Sequence, residues 1–257
     1  MIGKKIVLAL SLCLAGSMIP LQASTCTSGA TLASYETLGS TGCDINGLTF
    51  FNFAWVPTGG NPHATPADTG ITVTDLINGN GTGFLLTFGT PTTFTAGGGG
   101  FSDGELSFTV KTVSGLSAIN SIYQQIDGTV AGTGSYDDVL ENYCLGLSSL
   151  GCTPLQALDA QINPGSPVCT SKDNPQSKLA GDGSGGCDDS VTIAAQSVIA
   201  VRKDIRADAT AGATGASAAI TGVVNQFGPA VPEPGTYLLS FIGLGLLFLG
   251  RHKFSRS

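Results

Sequence analysis

"GELSFTVKTV", residues 104–113, places Leu106, Phe108 and Val110 on one phase and Ser107, Thr109 and Lys111 on the other. That alternation is the period of a half-buried strand, whose successive side chains point to opposite faces. A helix would need apolar residues three and four apart. The same pattern recurs on both sides of this stretch. "ITVTDLI" (71–77) alternates, meets the turn "NGNGTG" and is followed by "GFLLTFG" (83–89), which predicts a hairpin. "LTFFNFAW" (48–55) is an aromatic strand bounded by Gly47 and Pro57. "INSIYQQIDG" (119–128), "SVTIAAQSVIAVRKDIRADA" (190–209) and "SAAITGVVNQF" (217–227) complete the set. Short strands between Gly-rich turns predict an all-β fold, an antiparallel β-sandwich with disulfide-pinned loops. Two stretches read differently. Residues 139–162 predict a short helix over "PLQALDAQI", with Pro154 in its first turn, and residues 163–190 predict a long polar surface loop.

The two ends carry export chemistry. Lys4 and Lys5 precede an apolar run from Ile6 to Ile19; Pro20 breaks it, and "LQA" leads to a cleavage site between Ala23 and Ser24. That is the pattern of a signal peptide, a cleavable helix over residues 1–23, with signal peptidase as the partner. At the other end, Tyr237–Gly250 is an uncharged run of 14 residues. As a helix it reaches only about 21 Å against a hydrocarbon core of roughly 30 Å. Arg251, Lys253 and Arg256 follow it and would stay cytoplasmic, which orients the body outward. Before it, Pro232 and Pro234 keep Val231–Pro234 extended, with Glu233 between them. An extended segment beside a short hydrophobic tail suits recognition and removal by a membrane protease.

Pro232-Glu233-Pro234, the apolar run and the basic tip together resemble the PEP-CTERM protein-sorting domain, also called the ice-binding-protein C-terminal domain. The resemblance covers residues 231–257 and implies an exosortase, a multi-pass membrane protease, as the partner that removes the tail. It also implies export by Gram-negative bacteria that make extracellular polysaccharide. "ATLASYETLGSTGCDINGLTFFNF" (30–53) is similar to the start of many other proteins with this tail and implies a β-rich secreted body. The expected layout is therefore a signal peptide (1–23), a secreted sandwich (24–230) and a sorting signal (231–257). In this layout the inner membrane holds the chain transiently, before it reaches the cell surface or the extracellular space.

The body bears nearly all of the 18 acidic residues but only about half of the 11 basic ones, an imbalance that argues against nucleic acid and anionic lipid as partners. Removing Cys13 with the signal leaves Cys26, Cys43, Cys144, Cys152, Cys169 and Cys187. An even set in an exported chain predicts disulfides, and local pairing gives Cys26–Cys43, Cys144–Cys152 and Cys169–Cys187, although other connectivities are open. Chemistry is sparse. His63 and Asp68 lie in one loop without a nucleophile elbow. The adjacent acids Asp137/Asp138 and Asp188/Asp189 would point to opposite faces of a strand, and read more simply as solvated loop acids. Asp173, Asp182, Asp188 and Asp189 supply hard oxygens for a structural calcium ion, the only cofactor the sequence suggests. Trp55 reads as core, leaving Tyr35, Tyr123, Tyr136 and Tyr143 as aromatics for a sugar. These features predict a non-catalytic surface or matrix protein in contact with polysaccharide; the alternative is a secreted glycan-active enzyme delivered by the same tail.

Overall fold

The computed structural model describes residues 23–61, 65–89, 94–113, 117–153, 156–163, 186–211 and 214–229. In chain order they form β1 (Ser24–Thr25), β2 (Ala30–Thr31), α1 (Leu32–Glu36), β3 (Cys43–Ile45), β4 (Leu48–Asn61), β5 (Ile71–Asn78) and β6 (Gly81–Phe88). Then come β7 (Phe94–Gly97), β8 (Phe101–Thr112), β9 (Ile119–Ala131), β10 (Tyr136–Leu145), β11 (Gln156–Ile162), β12 (Gly186–Gln196), β13 (Val198–Asp208) and β14 (Ser217–Pro229). One sheet has the order β1-β3-β4-β8-β13-β10-β11, the other β12-β9-β14-β6-β5-β2, and β7 also pairs with β14. The pairings are antiparallel except the short β1–β3 contact.

Local chemistry explains the pairings. Asn46 and Gly47 both have positive φ, 44° and 87°, and join β3 to β4 as a two-residue turn. Its handedness matches the twist of the flanking strands. Asn52, at φ 55°, sits where β4 slips register against β8, so Phe50, Phe53 and Trp55 all turn inward while Phe51 faces out. The expected hairpin is β5–β6, in register from Ile71↔Phe88 to Asn78↔Gly81.

Half of the interface between the sheets is aromatic. Phe108 on β8 stands 5.1 Å edge-on from Phe84 on β6 and 6.1 Å from Phe227 on β14, and stacks at 5.5 Å on Phe53. Phe50 joins Phe84 at 5.6 Å. The rest is aliphatic, with Ile126, Val139, Leu158 and Ile205 among its residues, and encloses a polar cluster. Glu141 (β10) and Lys203 (β13) are cross-strand partners in the first sheet, Gln124 (β9) and Asn225 (β14) in the second, and all four are fully buried. Lys203 Nζ bonds Glu141 Oε2 and donates to Gln124 Oε1 at 3.2 Å, so the polar cluster also spans the sheets.

Three expectations are corrected. "PLQALDAQI" is not a helix: Gln156–Ile162 forms β11, antiparallel to β10, because Leu158, Ala160 and Ile162 bury on a period of two. The single stretch at 190–209 is two strands in different sheets, β12 ending at Gln196 and β13 starting at Val198. The paired acids are not solvated loop residues. Asp137 and Asp138 lie in β10, Asp188 and Asp189 in β12, and Asp137 and Asp189 are fully buried. Cys26–Cys43 and Cys144–Cys152 are bonded as expected; Cys187 is disulfide-bonded too, and its expected partner Cys169 lies outside the described residues. The expected signal helix and the run 237–250 also lie outside them. Among the described residues no helix is long and apolar enough to cross a membrane.

Phe108→Ala removes the ring that four other phenylalanines contact, and should destabilise the body by about 3–5 kcal/mol in denaturant unfolding. A second outcome follows from Asp137, which packs so closely over Gly128 that any Cβ there would collide with its carboxylate. Burial raises its pKa to about 8. A carboxyl raised in the folded state binds more protons there than in the unfolded chain. Its stabilising effect is therefore present at acid pH and lost as pH rises through about 8. Asp137 should contribute a fall of about 1.4 kcal/mol per pH unit between pH 5 and 7, and Asp137→Asn should remove that part of the slope. Urea midpoints measured across this range check it.

Candidate functional site

The outward phase of β8, β13 and β10 builds a charged face from three strands in register. Across them run the rows Phe101–Asp208–Tyr136, Asp103–Arg206–Asp138 and Glu105–Asp204–Leu140, with Ser107–Arg202–Asn142 beyond. On β13 alone the outward residues alternate in sign, from Arg202 to Asp208, while Val201, Ile205 and Ala207 face the core.

Arg206 is the hub of this face. Its Nε donates to Asp208 Oδ2 at 2.9 Å, its Nη1 lies 3.8 Å from Asp103 Oδ2, and its guanidinium stands 5.0 Å over the Phe101 ring. Tyr136 Oη donates to the same Asp208 oxygen at 3.2 Å. Burial alone would raise Asp208, but hydrogen bonds from Thr210 and Arg206 hold its carboxyl below the usual range. Asp204 moves the opposite way, to about 6, through burial first and then the charge and hydrogen bond of Asp103 and the charge of Glu105. One side of the face thus carries a firmly ionised carboxylate, and the other a carboxyl that holds a proton near pH 6. Arg202 pairs loosely with Glu105 at 3.8 Å, both more than a third exposed, so this contact adds little stability.

A flap covers one end of this sheet. The Cys144–Cys152 bridge closes residues 145–151 over the outer surface, where Thr109 Oγ1 donates to the Ser148 carbonyl at 3.1 Å and Ala200 is buried. A shallow pocket of about 180 Å³ opens beside it, lined by Asn52, Ser107, Thr109, Ser149 and Ala200 among others.

The residues expected from sequence separate into distinct places. Ala23 and Ser24 sit at the start of the described chain, Ser24 exposed in β1. Pro232, Glu233 and Pro234, the basic residues Arg251, Lys253 and Arg256, and His63 lie outside the described residues. Asp173 and Asp182 do as well. Asp188 and Asp189 point to opposite sides of β12, and Asp189 faces inward, where its Oδ2 accepts the Asp159 N–H at 3.0 Å. Among the described residues no group of three or more His, Cys, Asp or Glu could hold a metal ion. Trp55 is core, as expected, with Nε1 donating to the Pro66 carbonyl at 2.9 Å. Tyr35 and Tyr143 are buried too, so Tyr123 and Tyr136 are the tyrosines that reach a surface. Sequence reasoning missed the charged face, although the alternation in "VRKDIRAD" marks its outward phase. It also missed Glu141 and Lys203, which sit on apolar phases.

Asp103→Asn removes the acid that Asp204 leans on, so Asp204 should titrate below about 6 and nearer an ordinary aspartate. Carboxyl carbon shifts followed by NMR against pH check this.

Comparison with known proteins separates the tail from the body. The family model described as "PEP-CTERM protein-sorting motif" matches residues 230–256. No curated protein matches the chain. Among solved structures, the body is similar to the carbohydrate-binding module TmCBM61 in complex with beta-1,4-galactotriose. Identity is 8%, coverage 78% of this chain and 99% of that one, and the TM-score 0.25. It is also similar to the family GH12 endoglucanase 3 of Trichoderma harzianum, at 9% identity, 68% and 97% coverage and a TM-score of 0.26. A third is TmCBM27, described as recognising mannan, at 10% identity, 71% and 99% coverage and a TM-score of 0.26. TM-scores this low carry no argument about fold or activity. What is shown is the tail: this chain carries the PEP-CTERM protein-sorting motif, which implies an exported protein sorted toward the cell surface through an exosortase.

Proposed function

We propose that this is a non-catalytic surface or matrix protein whose tail delivers it and whose β-sandwich body meets polysaccharide. The matched motif over residues 230–256 carries the reading. In it, Pro232, Glu233 and Pro234 are the segment the exosortase binds, the run 237–250 holds the chain briefly in the inner membrane, and the basic tip sets orientation. The disulfides of the body suit an oxidising compartment.

The charged face supports contact with a hydroxyl-rich polymer. Its carboxylates accept and its guanidinium groups donate at neighbouring positions on a rigid sheet, a pattern that vicinal hydroxyls match. The nearest thing to catalytic apparatus there is the Asp103–Asp204 pair, and these carboxyls hydrogen-bond each other. A glycosidase needs its two carboxyls about 5 Å apart or more, with room for sugar or water between. That pair therefore lacks the separation a glycosidase uses, which supports the binding reading at this position.

An epitope inserted in the exposed turn at Thr214–Gly215 and another after Ser257 test the sorting. In cells with the exosortase the first should appear on a shortened, exported species and the second should be lost from it. A single full-length membrane species carrying both would sink the proposal. Replacing Pro232, Glu233 and Pro234 by alanine should produce that full-length species.

A further inference from the structure

The buried polar cluster holds three groups that can react with one another. Lys203, Glu141 and Asn225 are each fully buried. Glu141 Oε2 bonds Lys203 Nζ and also accepts Asn225 Nδ2–H at 3.1 Å, so one carboxyl oxygen touches an amine and the nitrogen of a carboxamide. Asn225 Nδ2 is further held by the Tyr123 carbonyl at 3.1 Å. Asn225 Oδ1 and Glu141 Oε1 have no hydrogen-bond partner. We infer that Lys203 and Asn225 become joined after folding by an intramolecular amide bond between Nζ and Cγ, with Glu141 as the catalytic residue that moves the protons.

The chemistry balances within the three side chains. Lys203 Nζ attacks Asn225 Cγ and an N–C bond forms. Glu141 accepts a proton from Nζ and delivers one to Nδ2; the Cγ–Nδ2 bond breaks and ammonia leaves. One amide replaces another, no oxidant or cofactor is consumed, and Glu141 is regenerated. Attack requires a neutral amine. Burial pushes Lys203 down and Glu141 up, and both shifts favour the proton on the carboxyl. The pair then contains no charge, and the acid lies against the leaving nitrogen. Holding amine and amide on one carboxyl oxygen in a fully buried site lowers the entropic barrier that makes this reaction negligible in solution.

Gln124 is the competing electrophile, since its Oε1 accepts from Lys203 Nζ at 3.2 Å. Its nitrogen, however, donates to the Val139 carbonyl at 3.2 Å and not to Glu141. With no acid on that leaving group, Gln124 is the positioning residue that aims the amine.

The test is the intact mass of the exported, processed protein, with its disulfides reduced, against the mass of its mapped sequence, together with a proteolytic map. The expected result is a mass lower by one ammonia and a branched peptide that joins the Lys203 segment to the Asn225 segment. Asn225→Ala and Glu141→Gln should each restore the full mass. Unmodified Lys203 and Asn225 in the wild-type chain would overturn the inference, whatever the variants do. So would an ammonia deficit that maps to a linear peptide closed on itself at Asn225, or to Gln124. A branched peptide persisting in Glu141→Gln would overturn the role of Glu141.

Discussion

A lysine and a glutamate with no access to water constrain the whole sandwich. An unpaired ion in such an interior costs several kcal/mol, so neither Lys203 nor Glu141 is tolerable without the other. Their pairing requires β13 and β10 to lie in one register, because a one-residue slip would turn one of them to the outer face. Two further hydrogen bonds reach the pair from the opposite sheet, Gln124 accepting from Lys203 and Asn225 donating to Glu141, and these two are themselves cross-strand partners. The cluster therefore specifies which residues of the two sheets face each other, as the hydrophobic effect alone does not. The apolar core supplies cohesion; the polar cluster within it supplies alignment.

That division explains which parts of the fold can be read from sequence. Phe108 and its neighbours announce their strand because apolar and polar residues alternate cleanly. Lys203 sits between Val201 and Ile205 on the same phase, and Arg202, Asp204 and Arg206 on the other, so its inward direction was present in the pattern. Its charge hid it, since a lysine in a strand is usually taken for surface. Glu141 and Asp137 were hidden in the same way beside Val139 and Tyr143. The helix expected at "PLQALDAQI" fails for a different reason. Leu, Ala and Gln suit a helix locally, yet the exposed edge of β10 and the apolar period of Leu158, Ala160 and Ile162 make pairing stronger. The break at Ser197 between β12 and β13 has no local signature. The alternation continues through it, and only the choice of partner strands assigns the halves to different sheets.

The candidate site was legible to a different degree. The sorting motif is a linear signal, so its residues are adjacent in sequence and recognisable without a fold. The charged face is assembled from β8, β10 and β13. Asp103 and Arg206 become neighbours only through antiparallel register. No spacing rule could bring Phe101, Asp208 and Tyr136 into one row.

The placement of covalent links follows from the same physics. Cys26–Cys43 fastens the short β1–β3 contact, where two residues of pairing hold the start of the body to its sheet. Cys144–Cys152 closes a loop of a few residues over the outer face of β8 and β13. Both staples lie where noncovalent contact is thin, at an edge and on a flap. The centre has packing in abundance, and its weak point is electrostatic: two ionisable groups that water would stabilise and the core cannot. Moving a proton from Lys203 to Glu141 removes both charges without changing the number of protons bound. Until Lys203 and Asn225 are joined, the pair therefore adds no pH slope of its own near neutrality, unlike Asp137, which stands without a counter-charge on its carboxyl. Before they react, two ionisable residues can thus sit deep in the sandwich while the solvent pH leaves their net charge unchanged.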